Sequence, residues 1–166
     1  MAEIKNLKDL YLDGVKDMYS ACKQAIAATE AMARAAKDAD LKKALDASVQ
    51  GTKDGMAAME KLARAHGEDP AGEHCKGMEG LIAEAKKHAL DASFADDDVQ
   101  DAAIIAQYQR LAHYAITGYG TLKAWAKRLD LGDDAKVLDA CTAAVYQGDE
   151  DMTKLAVKGG INKAAM

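Results

Sequence analysis

An all-α helical bundle is the fold this sequence predicts, and three observations predict it. Apolar residues recur at steps of three and four over long stretches, which is the period of a helix and not the alternation of a strand. Alanine dominates the 49% hydrophobic fraction, with one proline and 5% aromatics, so helix formers are plentiful and β-branched runs scarce. The 166 residues suffice for one domain, residues 1–166, with a sizeable core.

The first helix is expected from about Leu7 to Ala36, with Tyr11, Val15, Met18, Cys22, Ile26 and Ala33 on its apolar stripe. The segment KDADL turns the chain, and Asp40 is the expected N-cap of a second helix from Leu41 to about Ala65. So short a connection makes the two helices antiparallel neighbours. Within the second helix, SVQGTKDGMAAM places Gly51 and Gly55 on one face, each destabilising by about 1 kcal/mol relative to alanine. A face shaved in this way implies that a neighbouring helix approaches closely or that something large has been removed. In HGEDP, Gly67 suits the C-terminal cap and Pro70 opens the next segment.

A shorter third helix is expected over 71–92, with Cys75, Met78, Leu81, Ile82 and Ala85 on its apolar side. The next, over 97–129 with Asp97 or Asp98 as cap, is the longest amphipathic run in the chain: Ile104, Ile105, Tyr108, Leu111, Ala112, Ala115, Ile116, Tyr119, Leu122 and Trp125. At roughly 50 Å it can be buried only by other long helices, which implies a bundle. Gly132 breaks the pattern, Asp133 or Asp134 caps a last helix over 133–157, Gly148 weakens it, and the tail KGGINKAAM is expected to fray or pack loosely.

Charge narrows the function. With 22 basic against 27 acidic residues the net charge is −5, and no cluster of Lys or Arg is interleaved with aromatics, which argues against nucleic acid as a partner. The amino-terminal MAEIKNLKDLYL lacks an apolar core, and nowhere do eighteen apolar residues run together, so a cytoplasmic protein with no membrane partner is expected. Cys22, Cys75 and Cys141 are odd in number and widely spaced; they read as buried free thiols in a reducing compartment.

The segments QRLAHYAITGYGTL and CKGMEGLIAEA resemble corresponding segments of the ferritin-like YciE/YciF family, a bacterial domain of unknown function. The resemblance covers nearly the whole chain and implies a ferritin-like four-helix bundle. It also implies that the short helix, which periodicity alone would make a bundle member, belongs to a crossover between the second and third long helices. An association with bacterial stress responses is implied in the same way, and a homodimer is the expected assembly.

Metal-binding ferritin-like bundles direct carboxylates and imidazoles from several helices into their centre, three or four residues apart so that they share a face. In this chain the segments matching those ligands read YSACKQ, QGTKDG, LAHYAI and TAAVYQ. Carried over by resemblance, the family's carboxylates become Cys22, Gln50, Gly51, Ala112, Ala115 and, approximately, Ala143 and Ala144, while an imidazole becomes Gly55. Substitution on four helices together points to deletion of the whole site. The expected protein therefore has no catalytic residues, no cofactor and a structural or interaction role. Loss of the carboxylates is expected to leave either a cavity or closer helices, the two glycines favouring some closure, with Met18, Met56 and Met59 flexible enough to fill leftover space.

The alternatives keep a centre of another kind. A site with altered ligands would hold iron or manganese through His113, Gln50, Glu79 or Cys22 and support oxidase or storage chemistry. Cys22 with Cys141, one on each of two helices, would form a soft thiolate pair for a different metal or a redox couple. An emptied centre could instead take a small apolar ligand, or a haem with His113 or a methionine as axial group. His113 reads first as a hydrogen-bonded structural histidine, and His66, His74 and His88 as surface residues at helix ends.

Overall fold

A computed structural model describes residues 3–166. Its elements are α1 (Leu7–Ala35), α2 (Ala39–Ala65), α3 (Lys76–Ala85) running on into a π turn (Lys86–Leu90), α4 (Asp97–Arg128), α5 (Gly132–Val157) and a short α6 (Ile161–Ala164). The four long helices lie where the periodicity predicts them. α1 packs against α2 and α4, and α5 against α4 and α2, closing a ring of four around one apolar core.

The helix starts differ in detail from expectation. Asp38, not Asp40, caps α2: its carboxylate accepts the Leu41 N–H at 2.8 Å, and Asp40 sits in the first turn. Asp96, one residue before the expected pair, caps α4 through the Asp98 N–H at 2.7 Å. Where aspartates cluster, the one with extended backbone just before the first turn does the capping, and composition alone cannot choose it. No side chain caps α5, because its N-cap position is Leu131, and the expected Asp133 and Asp134 lie inside the first turn. The end of α2 is as expected: Gly67 has φ +77°, and the Glu68 amide returns to the Ala63 carbonyl at 3.0 Å.

The third helix is much shorter than the expected 71–92. Cys75 is its N-cap, the sulfur accepting the Met78 N–H at 3.5 Å, and residues 71–75 make a non-helical approach to it. α3 packs on α1 and α4, as a crossover does, and not as a member of the ring. The Ala89 carbonyl in the π turn is met by the Gln100 amide at 3.1 Å, which ties the end of the crossover to the start of α4. The tail also departs from expectation: α6 forms and buries Ile161 against α4 and α5.

Two carboxylates fix the ends of the ring. Asp101, fully enclosed on α4, accepts the N–H groups of Lys37 (2.9 Å) and Asp38 (2.7 Å) at the corner between α1 and α2. At the other end Asp134 on α5 accepts the Tyr11 hydroxyl at 2.9 Å and meets His66 Nε2 at 2.7 Å, joining the start of α1 and the end of α2. His66 is thus largely covered and not the surface residue expected. These two ties also set direction. The crossover climbs from the Asp134 end to the Asp101 end, so α4 runs parallel to α2 and antiparallel to α1.

Candidate functional site

The centre of the ring lies midway between the two ties, and small residues make it. α1 contributes Ala21, Cys22 and Ala25; α2 contributes Ala44, Ala47, Gly51 and Gly55; α4 contributes Ala112 and Ala115; α5 contributes Ala140 and Ala144. With so little side chain to meet across the axis, the helices leave a cavity of about 580 Å³. The expected closure by Gly51 and Gly55 does not occur. Gly55 is buried, and a Cβ there would collide with the Tyr119 hydroxyl, so that glycine admits a phenol rather than a helix. Gly51 is exposed, with open space where its Cβ would be. Met18 lines the cavity with Met78 and Met152, whereas Met56 and Met59 pack elsewhere in the core.

The cavity opens to solvent between α2 and α5. Its lining residues Ala47, Gly51 and Asp54 on α2 and Ala140, Ala144, Gln147 and Asp151 on α5 are all exposed. Tyrosines of α4 furnish much of the polar character inside. Tyr108 donates to Ser48 Oγ at 2.9 Å, beside Gly148, whose lack of a side chain makes room for the hydroxyl. Tyr119 shares a 3.0 Å hydrogen bond with the Cys22 thiol. Burial pushes the Cys22 thiol up to about 11, and burial followed by the neighbouring Cys22 pushes Tyr119 well above its ordinary 10.0. Both groups are therefore protonated and neutral at physiological pH.

A second polar cluster lies on the opposite side of α1. The Cys75 thiol donates to Asp17 Oδ2 at 3.2 Å and lies 3.0 Å from the Tyr114 hydroxyl, which also donates to Asp17 at 3.2 Å. The Cys75 amide donates to Ser20 Oγ at 3.0 Å, and the Gln24 amide to the Cys75 carbonyl at 3.1 Å. Every polar atom of Cys75 is thereby engaged. The arrangement pins the crossover to α1 and α4, and burial raises the thiol rather than activating it.

The residues singled out in the sequence divide into two groups. Cys22, Gly51, Gly55, Ala112, Ala115 and Ala144 come together around the cavity, and Cys141 joins them. Gln50 does not: it is exposed and donates to Asp54 on its own helix at 2.9 Å. Ala143 faces solvent on α5 and does not line the cavity. His113 is also outside, 65% exposed and paired with Asp149 at 3.2 Å, while Glu79 pairs with His74 on the surface. Residues one position apart on a helix point about 100° apart, so a match off by a single residue turns a wall position into a surface one. Of the two outcomes expected from the small residues, a cavity or closer helices, the structure has the cavity; Asp54, Asp151 and the Ser48–Tyr108 pair at its walls were not foreseen. The run of alanines and glycines at helical spacing on α2 and α5 was the signal that could have found them.

The donor set bears directly on a metal. Among the described residues no three His, Cys, Asp or Glu side chains are grouped so as to hold an ion. The cavity interior offers thiols and phenols whose hydroxyls are engaged on other partners. The carboxylates of its lining, Asp54 and Asp151, stand at the exposed opening, engaged by Gln50 and by Gln147 with Lys154. This is a poor match to the clustered hard oxygens and imidazoles that a pair of iron or manganese ions requires.

Comparison with known proteins agrees with this architecture. Residues 6–166 match the family described as Domain of unknown function (DUF892). Protein YciF of Escherichia coli (strain K12) is 31% identical over 163 residues, spanning 98% of this chain and 96% of its own. Two solved structures superpose with a TM-score of 0.87 at 31% identity. One is YcfI from Rhodopseudomonas palustris, described as a candidate structural protein, covering 94% of this chain and 98% of its own. The other is the E. coli stress protein YciF, covering 93% and 96%. The shared helical architecture and the extent of these matches place this chain in the DUF892 family, with YciF among its relatives.

Proposed function

We propose that this chain is a ferritin-like, stress-associated protein in which the dinuclear metal site has been lost, and that it acts as a homodimeric structural or interaction protein of the cytoplasm rather than as an enzyme. One observation carries the reading: the positions matching the family's ligands that line the cavity are Cys22, Gly51, Gly55, Ala112, Ala115 and Ala144, all small and uncharged. Without a metal, buried carboxylates would suffer a desolvation penalty of several kcal/mol per ion, so their joint replacement by small neutral residues is a stable outcome. A protein that kept metal would need to keep several of them. The stress role ascribed to YciF and the structural role suggested for YcfI support the non-catalytic reading.

The test is metal analysis of protein expressed in medium supplemented with iron and manganese. The expected content is about 0.1 equivalents or less per chain, as adventitious binding gives when hard ligands are lacking. A near-stoichiometric content of either metal would overturn the reading.

A further inference from the structure

We propose that the central cavity is a binding site for a slender cationic amphiphile, an alkyl chain ending in an ammonium group. The proposal rests on the metal-free centre proposed above. A volume of about 580 Å³ falls among cavities that take small molecules, commonly about 300–1,000 Å³. Its walls give water little reason to stay. Among the described residues no buried side-chain nitrogen or oxygen lacks a partner, so solvent inside meets alkyl surface and hydroxyls already engaged. Displacing such water by hydrocarbon is favourable.

Shape and charge narrow the occupant. The walls extend along α5 from Ala140 to Met152, about 18 Å at ~1.5 Å per residue, so the space is a slot along the bundle and not a round chamber. A single alkyl chain fits a slot better than a fused ring system. Asp54 on α2 and Asp151 on α5 stand at its exposed opening. Lys154 lies against Asp151 and Glu150, so the carboxylates of this region outnumber the ammonium groups. An anionic head group would face repulsion there, and a cationic one attraction.

Isothermal titration calorimetry of the metal-analysed protein with decyltrimethylammonium and with decanoate, each below its micelle threshold, tests the proposal. The expected result is saturable binding of one decyltrimethylammonium per chain and binding of decanoate weaker by about tenfold or more. Gly51→Phe puts a ring into the opening from a position with room for it, and is expected to weaken binding by about tenfold or more without lowering the thermal midpoint. Gly80→Phe, on the crossover helix and equally unobstructed, is expected to bind as the parent does. The double variant Asp54→Asn, Asp151→Asn is expected to bring the two ligands within about threefold of each other. Metal-free protein that binds neither ligand, or that binds equally well with Gly51→Phe, overturns the proposal. Equal or tighter binding of decanoate by the parent chain overturns the assignment of a cationic head. Metal found in the starting protein instead overturns the earlier reading of the centre, whatever the titration gives.

Discussion

Gly51 and Gly55 are one turn apart on α2 and look alike in the sequence, yet their surroundings are opposite. Gly55 lies under the Tyr119 hydroxyl, where any Cβ collides, and Gly51 looks into open space. Alanine at position 51 should therefore stabilise the chain by about 0.5–1 kcal/mol through helix propensity alone. Alanine at position 55 should destabilise it by about 1–3 kcal/mol, because overpacking displaces Tyr119 from Cys22 and outweighs the same propensity gain. Urea denaturation of the two single variants checks both signs at once, and two stabilising substitutions would mean that Tyr119 is not held as described. The reading of two glycines as one flat face was half legible. Spacing shows that they share a side of the helix, but which of them meets a neighbour depends on a tyrosine 64 positions away, whose reach no local pattern encodes.

The elements themselves were largely legible, because four long stripes at the helical period admit no other assignment. What escaped was the polar chemistry that terminates them. Asp101, near the start of α4, carries no signal in the sequence for its role, yet it is 1% exposed and holds the corner between α1 and α2. Replacing it by alanine leaves two corner amides without their acceptor and opens a gap. The expected loss is about 2–4 kcal/mol, measured by denaturant midpoint, with faster amide exchange confined to Lys37 and Asp38 and their neighbours. Asn at this position keeps one acceptor oxygen and should lose less than alanine does. Equal stability of the alanine variant and the parent would remove Asp101 from its place in the fold. The start of α3 was missed for a related reason: a thiol served as the cap, and cysteine is not among the residues whose presence announces a helix start.

At the scale of the whole molecule, the titrating groups give the pH dependence a definite sign. Burial raises Tyr11, Tyr108, Tyr114 and Tyr119 above their ordinary 10.0, and Cys22, Cys75 and Cys141 above their ordinary 9.0. The folded chain thus keeps protons that the unfolded chain gives up, and stability is complete below pH 9 and falls as the pH rises through the folded values. Urea midpoints measured by circular dichroism between pH 7 and pH 11 should be level at first and then decline with increasing steepness above about pH 9. Cys22→Ala should lessen the decline in its first part, since Cys22 is raised to about 11. A midpoint unchanged to pH 11 would show that these groups are hydrated in the folded chain.

The two ties at the ends of the ring have a consequence for what the middle can tolerate. One carboxylate at each end, Asp101 and Asp134, joins the ends of three helices. The small residues that line the cavity between them carry none of these ties, so their chemistry can change while the ends of the helices stay joined. Evolution can empty or refit that middle without redrawing the scaffold. The same separation makes the chain a host for installed function, in which new side chains placed at Gly51, Ala112, Ala115 and Ala144 would inherit a geometry already held from outside.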